Sequence, residues 1–416
     1  MHRELITRRR LLRQGAALAF PTAALLARGQ DESAAKPGTA FGEVPARLVK
    51  EINYAGLLDV SPDSAKLCLY FTRHPVRSFR ETEGNWHENT PPIRDSEDAL
   101  RVIDVDSWTS SYATRLPALP FHGSFFADST ALCIEIPGVR GGCTDHAVIY
   151  LRTGKMDERL EPLKLGGLNF SYTALSDSEI LGSGYRVETN KTDVLARVAV
   201  PSYDEIQRVS FAETRSPSTG KTESDLMVSS DRKTFVYSVD NNVVCRRASD
   251  LGVKWTRQMK GTGETNPTAG PWRVAVSADG GLVAASIRGR PWAGQEPRVD
   301  VYDGKDGTPL AAIPVDADEA IALSPDGRLL AAGKRVAMRG GKQAGGRKSG
   351  TQPTVLLFDI ASGKQVATLI QDRFRGGGGE FLYAGFTSNG ILFTPDNKYL
   401  VTSGLNTRIW EIRETR

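Results

Sequence analysis

One phrase recurs seven times along this chain and constrains its fold more than any other feature. It is a short apolar strand, a turn of the Ser-Pro-Asp-Gly kind and a second apolar strand, then a variable connection, a third strand ending in an acidic or polar residue, a turn, and a fourth strand. The clearest copy reads AIALSPDGRLLAAG and TVLLFDIASGKQVATLI, residues 320–333 and 354–370. The others begin at Leu57, Ser124, Thr173, Leu226, Val274 and Ile391, spaced by roughly 40 to 75 residues.

Asp and Gly after Ser-Pro satisfy a tight turn between two antiparallel strands, and the flanking runs are rich in β-branched and aromatic residues. Each copy therefore predicts a four-stranded antiparallel sheet. One such sheet cannot bury both apolar faces, but seven set radially bury each face against a neighbour. The chain is thus expected to be all-β, a seven-bladed β-propeller. The last copy stops at Ile412, soon after its third strand, while ARLVKEINY (Ala46 to Tyr54) precedes the first copy and matches GKQVATLI in pattern. That N-terminal strand is expected to complete the seventh blade and close the ring, which removes an exposed sheet edge.

Third-strand endings carry a family likeness: LLFDI (356–360), RVDVYD (298–303), LRVIDV (100–105) and RIWEI (408–412). On these the chain resembles bacterial WD40-like or YVTN-type propellers over about 370 residues. It departs from the strict WD40 pattern in lacking Gly-His pairs and a true Trp-Asp. The resemblance implies a scaffold, ligand binder or enzyme, since propellers serve as all three.

The N-terminus reads as an address. TRRRLLR (7–13) precedes the apolar stretch Gly15 to Ala27, a basic region followed by a short hydrophobic one. With Arg8 and Arg9 after Thr7, and Leu11 and Leu12 in the apolar places, it resembles a bacterial twin-arginine export signal. Residues 1–28 are expected to be this signal, 29–45 a flexible linker and 46–416 the propeller, with a periplasmic or secreted destination. The apolar run is shorter than the roughly 20 residues a spanning helix needs, so no integral membrane span is expected. Residues 1–28 hold six Arg and one Glu, so their net +5 accounts for more than the whole formal charge of +4 and leaves −1. A nearly neutral body lacks the concentrated basic face that nucleic acid would require. The four Cys (Cys68, Cys133, Cys143, Cys245) have no zinc spacing; Cys133 and Cys143 flank one hairpin and could pair, or remain buried thiols.

Connections from strand two to strand three, and from blade to blade, emerge on one face, and the long irregular ones fall in blades 5, 6, 7 and 1. They include residues 73–98, 288–297, 334–353 and 372–390. Long loops on a rigid scaffold are where binding usually resides. The blade-six loop carries Lys334, Arg335, Arg339, Lys342, Arg347 and Lys348 with no acid, which suits an anionic partner. Trp86 and His87 in blade 1, and Trp292 beside Arg288 and Arg290 in blade 5, are further binding candidates. The spacing of His74 and His87 fits no standard ligand motif, and no metal or cofactor is expected.

A second place for chemistry is the channel mouth. Aligned on the turn, the copies give one apolar parity that reads as blade core and another that leans toward the axis. The latter includes His122, Tyr172, Asp225 and Arg273, from four consecutive blades, with Asp59, Ser124 and Met227 a step deeper. There Arg273 would hold a carboxylate or phosphate, Asp225 would orient a neighbour, and His122 would move protons. No nucleophile elbow, phosphate loop or metal-binding helix motif occurs. The reading favoured by the sequence is an exported monomer that acts as a binding scaffold or sensor for a protein or anionic ligand. Its competitors are a channel-mouth enzyme of the lactonase or lyase type and a non-catalytic subunit of a quinoprotein-like dehydrogenase.

Overall fold

A computed structural model describes residues 46–52, 55–71, 99–115, 122–137, 144–157, 168–186, 191–210, 226–239, 242–259, 271–287, 296–317, 320–338, 350–370, 390–403 and 406–413. The expected signal and linker lie outside these residues. Strand β1 (Ala46–Ile52) stands apart at the N-terminal end. Blade 1 is β2 (Ala55–Val60), β3 (Lys66–Phe71), β4 (Ala99–Asp104) and β5 (Thr109–Arg115). Blade 2 is β6 (His122–Phe125), β7 (Ala131–Pro137), β8 (Thr144–Tyr150) and β9 (Lys155–Asp157); blade 3 is β10 (Leu168–Ala174), β11 (Glu179–Arg186), β12 (Lys191–Ala199) and β13 (Glu205–Ser210). Blade 4 is β14 (Met227–Val228), β15 (Thr234–Val239), β16 (Asn242–Arg247) and β17 (Val253–Gln258). Blade 5 is β18 (Pro271–Val276), β19 (Leu282–Ile287), β20 (Arg298–Asp303) and β21 (Pro309–Ile313); blade 6 is β22 (Ile321–Leu323), β23 (Leu329–Met338), β24 (Gly350–Asp359) and β25 (Gln365–Ile370). Strands β26 (Ile391–Phe393), β27 (Tyr399–Ser403) and β28 (Thr407–Ile412) begin blade 7.

The seventh sheet runs β1-β28-β27-β26, so the N-terminal strand completes the last blade as the sequence suggests. Register runs from Ala46 opposite Ile412 to Ile52 opposite Thr407. Arg47 pairs with Glu411 at 3.0 Å, and Thr407 Oγ1 donates to the Ala55 carbonyl at 2.6 Å, tying the closing blade to blade 1.

The recurring turn has a shared hydrogen-bond plan. In blade 1 the Ser61 hydroxyl donates to Asp63 Oδ1 at 2.5 Å and accepts from Lys66 N, while the Ala65 N–H also reaches Asp63 Oδ1. The same Asp-centred arrangement recurs at Asp231, Asp279, Asp326 and Asp396. The residue after each of these Asp has left-handed backbone: Ser64, Arg232, Gly280, Gly327 and Asn397, as does Ser129 after Asp128 in blade 2. Gly is free to adopt it, and Asn tolerates it better than most side chains. Blade 3 departs: Leu175 N–H bonds the Glu179 carbonyl, four residues on, where Ser61 bonds Lys66, five on. Its turn is one residue shorter.

Seven buried clusters follow, one at each seam between neighbouring blades. Leu58, Val102, Phe125 and Ile134 fill the seam of blades 1 and 2; Leu181, Leu195, Phe235 and Tyr237 fill that of blades 3 and 4. Val299, Ile313, Ile321 and Leu330 join blades 5 and 6, and Val355, Leu369, Phe393 and Trp410 join 6 and 7. Fully burying one such Val, Leu or Phe side chain stabilises by about 1.5–3 kcal/mol, so the ring is held by its seams. The outer strand pair carries a register shift at matching places in six blades, for example between Cys245 and Arg246 and between Val301 and Tyr302. Such bulges twist an exposed edge away from pairing with another chain.

Cys68, Cys133 and Cys245 are buried free thiols. Cys133 is thus not in a disulfide, and its candidate partner Cys143 lies outside the described residues.

Candidate functional site

Because the sheets stand radially, an innermost strand presents an edge to the axis and sends its two rows of side chains into the two adjoining seams. The apolar parity does form core: Leu58, Val274, Ile321 and Ile391 are buried. The other parity packs as well: Leu57 and Ala320, which belong to it, are buried in the seams on the opposite side.

His122 begins β6 and is half-buried. Burial pushes its pKa down to about 4, so its imidazole is neutral at neutral pH. It lies opposite Glu135, which lies opposite His146 on the next strand. Tyr172 is buried in the cluster joining blades 2 and 3, not at the channel mouth. The short blade-three turn explains the difference: it is Leu175, not Ser176, that stands where Ser61 does, so the frame moves by one residue and Tyr172 changes face. Arg273 lies on β18 in blade 5, half-buried, its backbone N–H donating to Ser286 Oγ at 3.0 Å. It is three blades from His122. Asp225 lies outside the described residues, as do Trp86, His87, Arg288, Arg290, Trp292, Arg339 and Lys342. Arg335 is placed on β23 opposite Pro353. Among the described residues, no three His, Cys, Asp or Glu side chains gather closely enough to hold a metal ion, and no helix is long and apolar enough to cross a membrane.

At the turn end of the inner strands lies a polar hub. Asp59, on β2, accepts from Phe125 N of blade 2 at 2.7 Å and from Val60 N at 2.8 Å. Arg232, in the blade-four turn, donates to the Phe125 carbonyl at 2.8 Å and to the Ala174 carbonyl of blade 3 at 3.1 Å. Ala174 N in turn donates to Ser124 Oγ at 2.6 Å. Innermost edges leave backbone groups without a sheet partner, and here side chains from other blades satisfy them. Burial raises the Asp59 pKa to about 6, the Arg232 charge opposing part of that rise. Burial likewise lowers the pKa of Arg232, with Asp59 and Asp231 opposing. The sequence signal for this hub is slight: an acid inside the apolar run LLDV, and an Arg where another turn has Gly.

On the opposite face, blade 6 differs from the rest. Strands β23 and β24 have 10 residues each, yet β22 pairs only as far as Ala332 and β25 only from Thr354. Residues 335–338 and 350–353 thus continue as a two-stranded ribbon beyond the four-stranded sheet.

Seven antiparallel four-stranded blades closed by β1 define a seven-bladed β-propeller. No family model matches the chain, and no curated protein matches it. Among solved structures it is similar to the β-propeller domain of Cps50 (Swd1) from Myceliophteria thermophila, with 9% identity and a TM-score of 0.54, covering 89% of this chain and 100% of that one. A chain of a mitotic checkpoint complex matches with 14% identity and a TM-score of 0.48, over 96% of this chain and 100% of that one. The likeness to Cps50 supports the propeller fold.

Proposed function

We propose that this chain is an exported, monomeric, WD40-like binding scaffold or sensor, which takes a protein or anionic ligand on the loop face of blades 5, 6, 7 and 1. The observation that carries this reading is the blade-six ribbon, about four residue pairs or roughly 13 Å long, on which the acid-free connection of Arg339, Lys342, Arg347 and Lys348 is mounted. A basic connection joined at both ends to paired strands loses less freedom on meeting an acidic partner than a free tail would. The reading is tested with polyglutamate as a probe and with capture from extracts of the native host. Arg339→Ala with Lys342→Ala is expected to abolish polyglutamate retention at low salt. Trp86→Ala and Trp292→Ala are expected to weaken host-partner capture, while His122→Ala leaves both unchanged. Capture that survives the loop changes but fails in His122→Ala would favour a channel-mouth site instead.

A further inference from the structure

We propose that the outer rim of the seam between blades 5 and 6 is a docking seat for a single Tyr or Phe side chain of another polypeptide, at the turn end of the ring and apart from the loop face.

The connection between the third and fourth strands of blades 1 to 6 puts one residue in left-handed backbone: Trp108, Gly154, Tyr203, Leu251, Gly307 and Gly363 in turn. The large ones pack against the preceding blade. Trp108 meets Tyr399 of blade 7 edge-on, ring centroids 6.1 Å apart, while Tyr203 joins the cluster of blades 2 and 3 and Leu251 that of blades 3 and 4. Where the residue is Gly in blades 2 and 5, the outer strand of the preceding blade supplies a ring instead. Tyr112 Cε2 lies 3.6 Å from where a Cβ on Gly154 would stand, and Trp255 Cδ2 lies 2.7 Å from where one on Gly307 would.

Blades 5 and 6 break this rule. Gly363 has blade 5 before it, and the outer-strand position there is Ala311. It lies opposite Val301 as Tyr112 lies opposite Val102 and Trp255 opposite Cys245, each just before the register shift. Neither position supplies a ring. Among the described residues, nothing lies within 4 Å of where a Gly363 Cβ would stand. The walls are present: Phe358 and Ile360 are buried in this seam with Ala311 packed against them, and Leu310 beside Ala311 is exposed.

The size of the seat follows from the other seams. Gly304, three residues before Gly307, lets the Trp255 indole N–H reach its carbonyl at 3.1 Å. Leu151 holds that place before Gly154, and Ile360 holds it before Gly363. An aliphatic side chain there accompanies the six-membered ring of Tyr112, so the seat of blades 5 and 6 fits Tyr or Phe rather than Trp. Tyr112 and Trp255 are both delivered sideways by an outer strand. Gly363 is only half-buried and Lys364 is exposed, so the seat is open from that same side to a ring carried on a chain. A ring buried against packed apolar walls is the kind of anchor on which protein interfaces depend.

Saturation-transfer NMR on the full chain tests this, with N-acetyl-tyrosinamide as the probe. Transfer to the probe's ring is expected with the wild type and should be lost with Ala311→Tyr, in which the chain's own side chain takes the seat. It should survive in Ala312→Tyr, which adds the same ring one residue away. Thermal unfolding gives a second measure: Ala311→Tyr is expected to melt no lower than the wild type. No transfer with the wild type, transfer that survives Ala311→Tyr, or equal loss with Ala312→Tyr would each overturn the seat. So would an Ala311→Tyr chain that melts lower or does not fold, since the seam would then have no room for a ring. Transfer to p-cresol but not to N-acetyl-tyrosinamide would overturn the polypeptide partner, because the seat would admit only a free small molecule.

Discussion

Asp59 and His122 are both displaced from ordinary protonation by burial, in opposite senses: one carboxyl raised to about 6, one imidazole lowered to about 4. The signs matter. Between pH 4 and 6 the folded state holds a proton on Asp59 that the unfolded chain has released, so this group makes stability fall as pH rises. Over nearly the same window the unfolded chain holds a proton on His122 that the folded state refuses, so stability rises with pH. The two shifts are similar in size and opposite in sign, so they largely cancel. Urea unfolding at pH 4.5 and 6.5 should show little change from this pair in the wild type. Asp59→Asn should unmask stability that increases with pH, and His122→Gln stability that decreases. Equal slopes in all three proteins would contradict both assignments. A sequence reader can place Asp59 and His122 on inner strands, but not the pairing of Asp59 with Phe125 N and Arg232. That pairing joins residues 66 and more apart through ring geometry rather than spacing.

The turn is the element from which the architecture can be read, because its chemistry is local. Ser, Asp and Gly at fixed offsets make their bonds within six residues, so the copies announce themselves in the sequence. Asp326 shows how much one side chain does: it accepts from Ser324 Oγ, Arg328 N and Asn397 Nδ2 of the next blade. Asp326→Ala is expected to cost about 1–2 kcal/mol in a denaturant titration. Gly327 has φ +70°, and a Cβ there would lie 2.9 Å from Leu282 Cδ1. Gly327→Ala should therefore cost about 1–2 kcal/mol, and Gly327→Asn less, since Asn397 already adopts this conformation in blade 7. A full cost for Asn would indicate that the Leu282 contact, not the backbone, is decisive. The same locality explains the misplaced Tyr172. A deletion of one residue in a turn is nearly invisible in LSDSE, yet it inverts which face every preceding side chain occupies.

At the scale of the ring, seven seams of similar composition share the stabilisation, and closure by β1 decides whether the last seam exists. Removing residues 46–52 would strip β28 of its outer partner and expose the Leu48 side of the blade 6–7 cluster. The shortened chain should aggregate or unfold at markedly lower temperature, as scanning calorimetry would show; an unchanged melting temperature would mean that β1 is dispensable. Seven units, their order and the closing strand were all legible in the sequence, since each rests on hydrophobic alternation and turn chemistry. The loop face was read only from composition and connection length, which name its residues and not its shape.

The pairing of β1 with β28 also sets a clock. Ala46 and Ile412 are neighbours in space but at opposite ends of synthesis, and at about 5–20 residues per second a ribosome needs roughly 20–70 s to travel from one to the other. Throughout that interval the first strand made has no partner, and six blades can assemble beside it without finishing the molecule. A nascent chain of this kind remains an open arc with adhesive ends until its final strand is released, and whatever escorts it in the cell must guard those ends for that long.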